Sequence, residues 1–217
     1  MIDFRLYLIS DRRLTWRGLN ESTRSECDAL VAAIETACRA GVRAVQLREK
    51  DLNTRALYET ACRIRGVTRD HQAKFFVNDR VDVAMASAAD GVHCPDRGFP
   101  AADAARMLGS RRSVGVSTHS LERAQRAQRD GADFITFGPV FTTPSKKVFG
   151  PPQGLQALKN VAGAVTIPVL AIGGITPERT AHCLDHGASG VALISSILAL
   201  DDIARAVDRF AEVMGSL

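Results

Sequence analysis

Gly41-Val42-Arg43-Ala44-Val45 joins what reads as the end of a helix to the start of a short apolar strand. The same arrangement recurs at Ala89-Asp90-Gly91-Val92, Gly131-Ala132-Asp133-Phe134-Ile135 and Gly187-Ala188-Ser189-Gly190-Val191. Glycine suits such a junction because it adopts the left-handed conformation at a helix C-terminus at little cost. Each copy is therefore a helix-to-strand return, the mark of repeated βα units. Working outward from these returns gives eight strand candidates: Arg5–Ile9, Ala44–Arg48, Lys74–Val77, Gly91–His93, Ser113–Val116, Phe134–Phe137, Val169–Ile172 and Gly190–Leu193.

Amphipathic stretches lie between them. Cys27–Ala40 sets Leu30, Ile34 and Cys38 on one helical face, and Asp201–Met214 does the same with Ile203, Val207 and Phe210. Strands alternating with helices throughout predict an α/β chain folded as one (β/α)8 TIM barrel spanning 1–217. A doubly wound sheet would need a glycine-rich first turn, whereas the first strand here runs into Ser10-Asp11-Arg12-Arg13. Two long loops, Arg12–Glu26 and Gly138–Gln153, follow strand C-termini, where a barrel carries its active site.

The composition suits a globular domain with a sizeable core: 217 residues, 46% hydrophobic and 24% charged. A formal charge of +4 without a Lys/Arg run interleaved with aromatics argues against nucleic acid as a partner. Five widely spaced cysteines without a C-x-x-C pair point to a reduced chain without structural zinc. Met-Ile-Asp-Phe-Arg does not read as a signal peptide, and no apolar run approaches the roughly 18 residues of a membrane span. The expectation is a cytoplasmic protein with no membrane partner, and its apolar helix faces leave a homo-oligomer open.

The chemistry gathers at the predicted strand ends. Gln46, Arg48 and Lys50 stand at period-two spacing and so share one face. Two cations and an amide facing inward are costly to bury without a partner, and a polyanionic ligand offsets that cost. Asn78-Asp79 follows the third strand; Asp79 is the best carboxylate for a hard cation such as Mg2+, although capping of a helix at Val81 would also explain the pair. His93 reads as a buried, satisfied imidazole. Ser117 and His119 follow the fifth strand, and His119 is either a general acid/base or a histidine held by backbone hydrogen bonds. Thr142-Thr143-Pro144-Ser145-Lys146-Lys147 has the make-up of an anion clamp. Gly173-Gly174 and Ser195, after strands seven and eight, occupy the usual phosphate position of this fold. The tight turn at Gly173-Gly174 also fits Thr176 as N-cap with Pro177 at the first helical position.

Five stretches, Val45–Lys50, Val77–Ala84, Gly115–Ser120, Phe137–Phe141 and Ala171–Ile175, resemble the thiamine phosphate synthase family, and the likeness runs in order over nearly the whole chain. The resemblance implies a transferase that joins 4-amino-2-methyl-5-(diphosphooxymethyl)pyrimidine to hydroxyethylthiazole phosphate, giving thiamine phosphate and pyrophosphate, with Mg2+ required. It implies dissociative chemistry, in which cations hold the leaving pyrophosphate. Carried over by position, Gln46, Arg48, Lys50, Asn78, Ser117 and Lys146 match pyrimidine pyrophosphate contacts. Thr143 and Ser145 match the thiazole phosphate loop, and Gly174, Ile194 and Ser195 match the phosphate site. The catalytic roles expected are those of Arg48 and Lys146, with His119 as the candidate acid/base, and Asp79 matches a Mg2+ ligand.

One position departs from the family pattern. Where a second metal-binding Asp is usual, this chain has Gly98, within Cys94-Pro95-Asp96-Arg97-Gly98-Phe99-Pro100. Asp96 is the stand-in if the loop is re-routed, and Arg97 offers positive charge instead. The departure resembles the thiazole tautomerases of the same fold, and that resemblance implies acid/base use of a histidine matching His119. A non-catalytic thiamine-phosphate-binding protein is the third reading. A tautomerase has no reason to keep Gln46, Arg48, Lys50, Asp79 and Lys146 together, and that set favours the synthase.

Overall fold

Eight short parallel strands, each paired with the next and the last paired with the first, close into a barrel in this computed structural model, which describes residues 2–15, 25–143 and 151–215. Strand β1 (Leu6–Ile9) is followed by α1 (Arg12–Thr15) and α2 (Glu26–Arg39). Then come β2 (Ala44–Leu47), α3 (Thr54–Asp70), β3 (Lys74–Asn78), α4 (Val81–Ala86), β4 (Gly91–Cys94), α5 (Ala101–Leu108) and β5 (Ser113–Thr118). The chain continues through α6 (Leu121–Arg129), β6 (Phe134–Phe137), α7 (Gly154–Ala164), β7 (Val169–Ile172) and α8 (Pro177–Asp185). It ends with β8 (Gly190–Leu193), α9 (Ser195–Leu198) and α10 (Ile203–Met214).

The helix-to-strand returns form as the sequence requires. Gly41, Gly131 and Gly187 take φ of 115°, 88° and 86°. At the α4–β4 return the left-handed position falls instead on Ala88, with φ 53°, where a Cβ costs roughly 1–2 kcal/mol. Strand alternation then sorts the core into two layers. Leu6, Leu8, Val45, Leu47, Phe75 and Val77 pack outward under the helices. Tyr7, Ile9, Ala44, Phe76, Phe134, Leu170 and Ala192 fill the barrel, with Phe4 below them. The rings of Phe4, Tyr7, Phe76 and Phe134 meet mostly edge-on, at centroid separations of 5.4 to 5.9 Å. Their bulk demands small neighbours: a Cβ at Gly91 would stand 2.8 Å from the Phe76 ring, and one at Gly115 2.5 Å from Phe134.

Several boundaries differ from the sequence reading: β1 begins at Leu6 rather than Arg5, and β3, β4 and β5 run on to Asn78, Cys94 and Thr118. Strand β2 ends at Leu47 rather than Arg48, because the Arg48 N–H leaves the ladder for the Ser10 hydroxyl at 2.8 Å. The start of the expected loop Arg12–Glu26 is instead the helical turn α1, with Thr15 Oγ1 donating to the Arg12 carbonyl at 2.8 Å. All five cysteines are free thiols, and among the described residues no helix is long and apolar enough to cross a membrane.

Candidate active site

The C-terminal ends of the strands form the mouth, and parity decides which side chains reach it. Gln46 follows Ala44 on the inner face of β2 and is 1% exposed. Its Nε2 donates to the Tyr7 hydroxyl at 3.1 Å. Arg48, next on that face, is half-buried, and Lys50 is exposed. Glu49 has the opposite parity and is buried. Its Oε1 accepts from Ser10 Oγ at 2.5 Å and from the Arg12 N–H at 3.1 Å, and its Oε2 from Arg12 Nη1 at 3.1 Å. Burial pushes the Glu49 carboxyl up, against the lowering pull of Ser10 and Arg12. Arg12 also meets Glu26 at 2.7 Å and Asp51 at 2.6 Å. The strand-two mouth is therefore clasped from behind by a charged network that pattern reading passed over.

Asp79 sits in the left-handed region with φ 62°. Helix capping does not explain it: Arg80 occupies the N-cap of α4 and makes no side-chain cap bond. The carboxylate turns instead to the loop after β4, where Oδ1 accepts the Phe99 N–H at 2.7 Å. A Cβ at Gly98 would overlap that Oδ1 and stand 2.6 Å from Pro95 Cδ. Asp96 turns away from Asp79, pairing with Arg123 Nε at 3.0 Å. An open cavity of about 450 Å3 lies here, lined by Glu49, Lys50, Asn78, Asp79, Arg80 and Arg97, among others. Arg80 is tied to Asp82 at 2.6 Å, whereas Lys50 and Arg97 take no hydrogen bond or ion pair among the described residues.

At the opposite rim, Gly173 and Gly174 have φ of 97° and 65°. A Cβ on Gly174 would lie 2.6 Å from the Thr142 carbonyl oxygen, and one on Gly173 2.5 Å from Pro139 Cβ. Both glycines are needed for their backbone angles and for the close approach of the loop after β6. Thr176 caps α8 with Pro177 in its first turn, so the tight turn forms as the sequence reading describes it. Ile194 and Ser195 follow β8 directly alongside, and Ser196 Oγ donates to the Ile175 carbonyl at 2.5 Å. Arg179 was not singled out by sequence; it donates to the Gly174 carbonyl at 2.7 Å and lies 4.8 Å from the Phe141 ring centroid. Thr143 lies at the end of the described part of that loop; Pro144, Ser145, Lys146 and Lys147 lie outside the described residues, as does Trp16.

Two histidines stand beneath the mouth. His119 Nδ1–H donates to the Gly138 carbonyl, so its ring is held by backbone. His93 is buried as expected, yet only half satisfied. Its Nε2 lies 3.0 Å from Ser117 Oγ, while Nδ1 has no partner among the described residues. Burial first, and the nearby Arg48 charge second, push His93 down to about 3.

The residues present fit a cation shared with a ligand better than a protein-built metal cage. Among the described residues no group of three or more His, Cys, Asp or Glu converges. Mg2+ typically needs only one or two carboxylates when substrate phosphates complete its shell, and Asp79 offers one carboxylate on the cavity wall.

A closed parallel barrel with basic and amide side chains at one end, and a double-glycine turn beside the start of a short helix, is a phosphate-handling (β/α)8 barrel in form. The chain belongs to the thiamine monophosphate synthase family, whose family model matches residues 6–197. A thiamine-phosphate synthase from Moorella thermoacetica is 42% identical over 181 residues, 83% of this chain and 86% of that protein. One from Chloroflexus aurantiacus is 40% identical over 206 residues, 95% of this chain and 90% of that protein. The solved thiamine phosphate pyrophosphorylase from Pyrococcus furiosus superposes with a TM-score of 0.85 at 34% identity, covering 98% of this chain and 96% of that one.

Proposed function

We propose that this chain is a thiamine-phosphate synthase: the thiazole nitrogen of hydroxyethylthiazole phosphate forms a bond to the exocyclic methylene of the pyrimidine as its bond to pyrophosphate breaks. The observation that carries the reading is the cation-lined cavity between the β2 and β4 ends, where Lys50 and Arg97, beside Asn78 and Asp79, have no ion-pair partner among the described residues. Such a site stabilises charge that builds on a leaving group, without a protein nucleophile. Arg48, Lys50 and Asn78 would hold the pyrophosphate, with Lys146 as a further cation from the loop after β6. Gln46, fixed by Tyr7, would orient the pyrimidine through its remaining amide atoms. Thr143, Ser145, Gly174, Ile194 and Ser195 would hold the thiazole phosphate. Asp79 would hold Mg2+, which supplies charge neutralisation to the leaving pyrophosphate when bound. Asp96 is not assigned to the metal, because Arg123 engages its carboxylate.

Five free thiols suit a reducing compartment, and the cytoplasm is the localisation proposed. The decisive experiment mixes purified protein with both substrates and Mg2+ and follows thiamine phosphate, with and without EDTA. Mg2+-dependent product supports the reading; no product from folded protein overturns it. Metal-independent isomerisation of the thiazole carboxylate phosphate would favour the tautomerase instead.

A further inference from the structure

Beneath the mouth, one buried side-chain polar atom has no partner among the described residues: His93 Nδ1. His93 is 1% exposed and its ring is wedged between Tyr7 and Phe134, at centroid separations of 5.7 Å from each. Its Nδ1 faces the bare Cα of Gly115, where a Cβ would stand 2.5 Å away. Among the described residues the ring therefore has one hydrogen-bonding contact, Nε2 to Ser117 Oγ at 3.0 Å.

That contact has two possible polarities, and the orphan nitrogen decides between them. If Ser117 donated to Nε2, the neutral ring would carry its proton on Nδ1, leaving a buried N–H without an acceptor. Orphaned buried N–H groups are rare, and under-satisfied acceptors less so. The cheaper arrangement puts the proton on Nε2, which donates to Ser117 Oγ and leaves Nδ1 bare. Thr136 Oγ1 also approaches Ser117 Oγ, at 3.5 Å. With protein donors on its lone pairs, the Ser117 hydroxyl has its own hydrogen left over.

We propose that His93 is a positioning residue: its Nε2–H holds Ser117 Oγ as an acceptor, so that Ser117 presents its hydrogen to an oxygen of the bound pyrophosphate. This rests on the reading of Ser117 as a substrate contact. The low basicity of His93 supports it, since a ring that stays neutral keeps a single donor throughout the working pH range.

The tautomer is tested first, on ligand-free protein, by long-range 1H–15N correlation NMR of the His93 ring nitrogens between about pH 8 and pH 5. The expected pattern is a neutral ring with the proton on Nε2 throughout; an Nδ1–H or imidazolium pattern overturns the proposal. This measurement needs no turnover, so it stands even if the synthase reading fails. Kinetics then test the route through Ser117. His93→Leu is expected to lower kcat/KM about tenfold or more, and His93→Gln, whose side-chain N–H falls near the same place, to restore most of it. In a Ser117→Ala background, His93→Leu is expected to change little further. An equal tenfold loss in that background, with thermal unfolding showing folded protein, would mean that His93 acts independently of Ser117 and would overturn the proposal.

Discussion

Removing the Arg12 side chain tests whether the network behind β2 holds the mouth in shape. Arg12 is 12% exposed at its side chain and Glu49 3%, so truncation leaves a nearly dry carboxylate facing only Ser10 Oγ and the residue-12 N–H. Breaking a buried pair by removing one partner costs about 3–5 kcal/mol. The lower end applies, because the Glu49 carboxyl is already pushed up by burial and can escape by taking a proton. At roughly 2–4 °C per kcal/mol for a chain of this size, Arg12→Ala should lower Tm by roughly 6–12 °C. The carboxylate left behind is the main fault, so Glu49→Gln in the Arg12→Ala background should recover part of the loss. The Ser10 hydroxyl donates to Glu49 and accepts the Arg48 N–H, so kcat/KM should fall with stability. The assay is thermal and urea unfolding of both variants, with steady-state kinetics well below Tm. A Tm change under about 2 °C, or no recovery in the double variant, would refute the clasp.

Two further outcomes follow from the buried groups. The folded-state His93 is held near 3 while its unfolded value is about 6.5. The unfolded chain therefore binds a proton that the folded chain refuses. Its contribution to stability is intact above about pH 6.5 and is lost as pH falls towards 3, by up to roughly 1.4 kcal/mol per pH unit. His93→Gln should flatten the urea-midpoint slope across that window, and equal slopes in the two proteins would disprove it. Gly98→Ala must displace the Asp79 carboxylate or Pro95, at a cost of about 1–3 kcal/mol. It should also raise the Mg2+ concentration needed for half-maximal activity, and an unchanged Mg2+ titration would count against Asp79 as the ligand.

The parts of this barrel that were legible from sequence are those set by local rules. Glycine at Gly41, Gly131 and Gly187 marks left-handed returns because the constraint acts on a single residue. Gln46, Arg48 and Lys50 sort to one face because strand parity needs no partner. The same parity sends Glu49 to the other face, yet its anchor Arg12 is 37 residues earlier and no local pattern names it. The return at Ala89–Val92 was legible too, but not its left-handed residue, because the non-glycine Ala88 takes the positive φ. His93 could be read as buried, but its unsatisfied nitrogen depends on Gly115, which sits opposite it in the β4–β5 register.

Gly98 is the position where sequence and structure together say most. Matched to the family pattern, it is a missing carboxylate. In space it is a contact: its bare Cα lets the loop after β4 fold against Asp79, and the next residue, Phe99, hydrogen-bonds the carboxylate through its N–H. A side chain at 98 and that Asp79 geometry exclude each other, so Gly98→Asp alone would displace Asp79, the carboxylate proposed to hold the metal. The same loop puts Arg97 on the wall of the cavity that Lys50 also lines, and neither takes an ion pair among the described residues. In Coulomb terms, a cation beside a bound pyrophosphate does part of the work of a carboxylate-held metal, by offsetting the ligand's negative charge directly. Under the proposed function, positive charge around the single carboxylate of Asp79 stands where the family pattern has a second carboxylate. A cation recruited there would be held chiefly by the phosphates it neutralises.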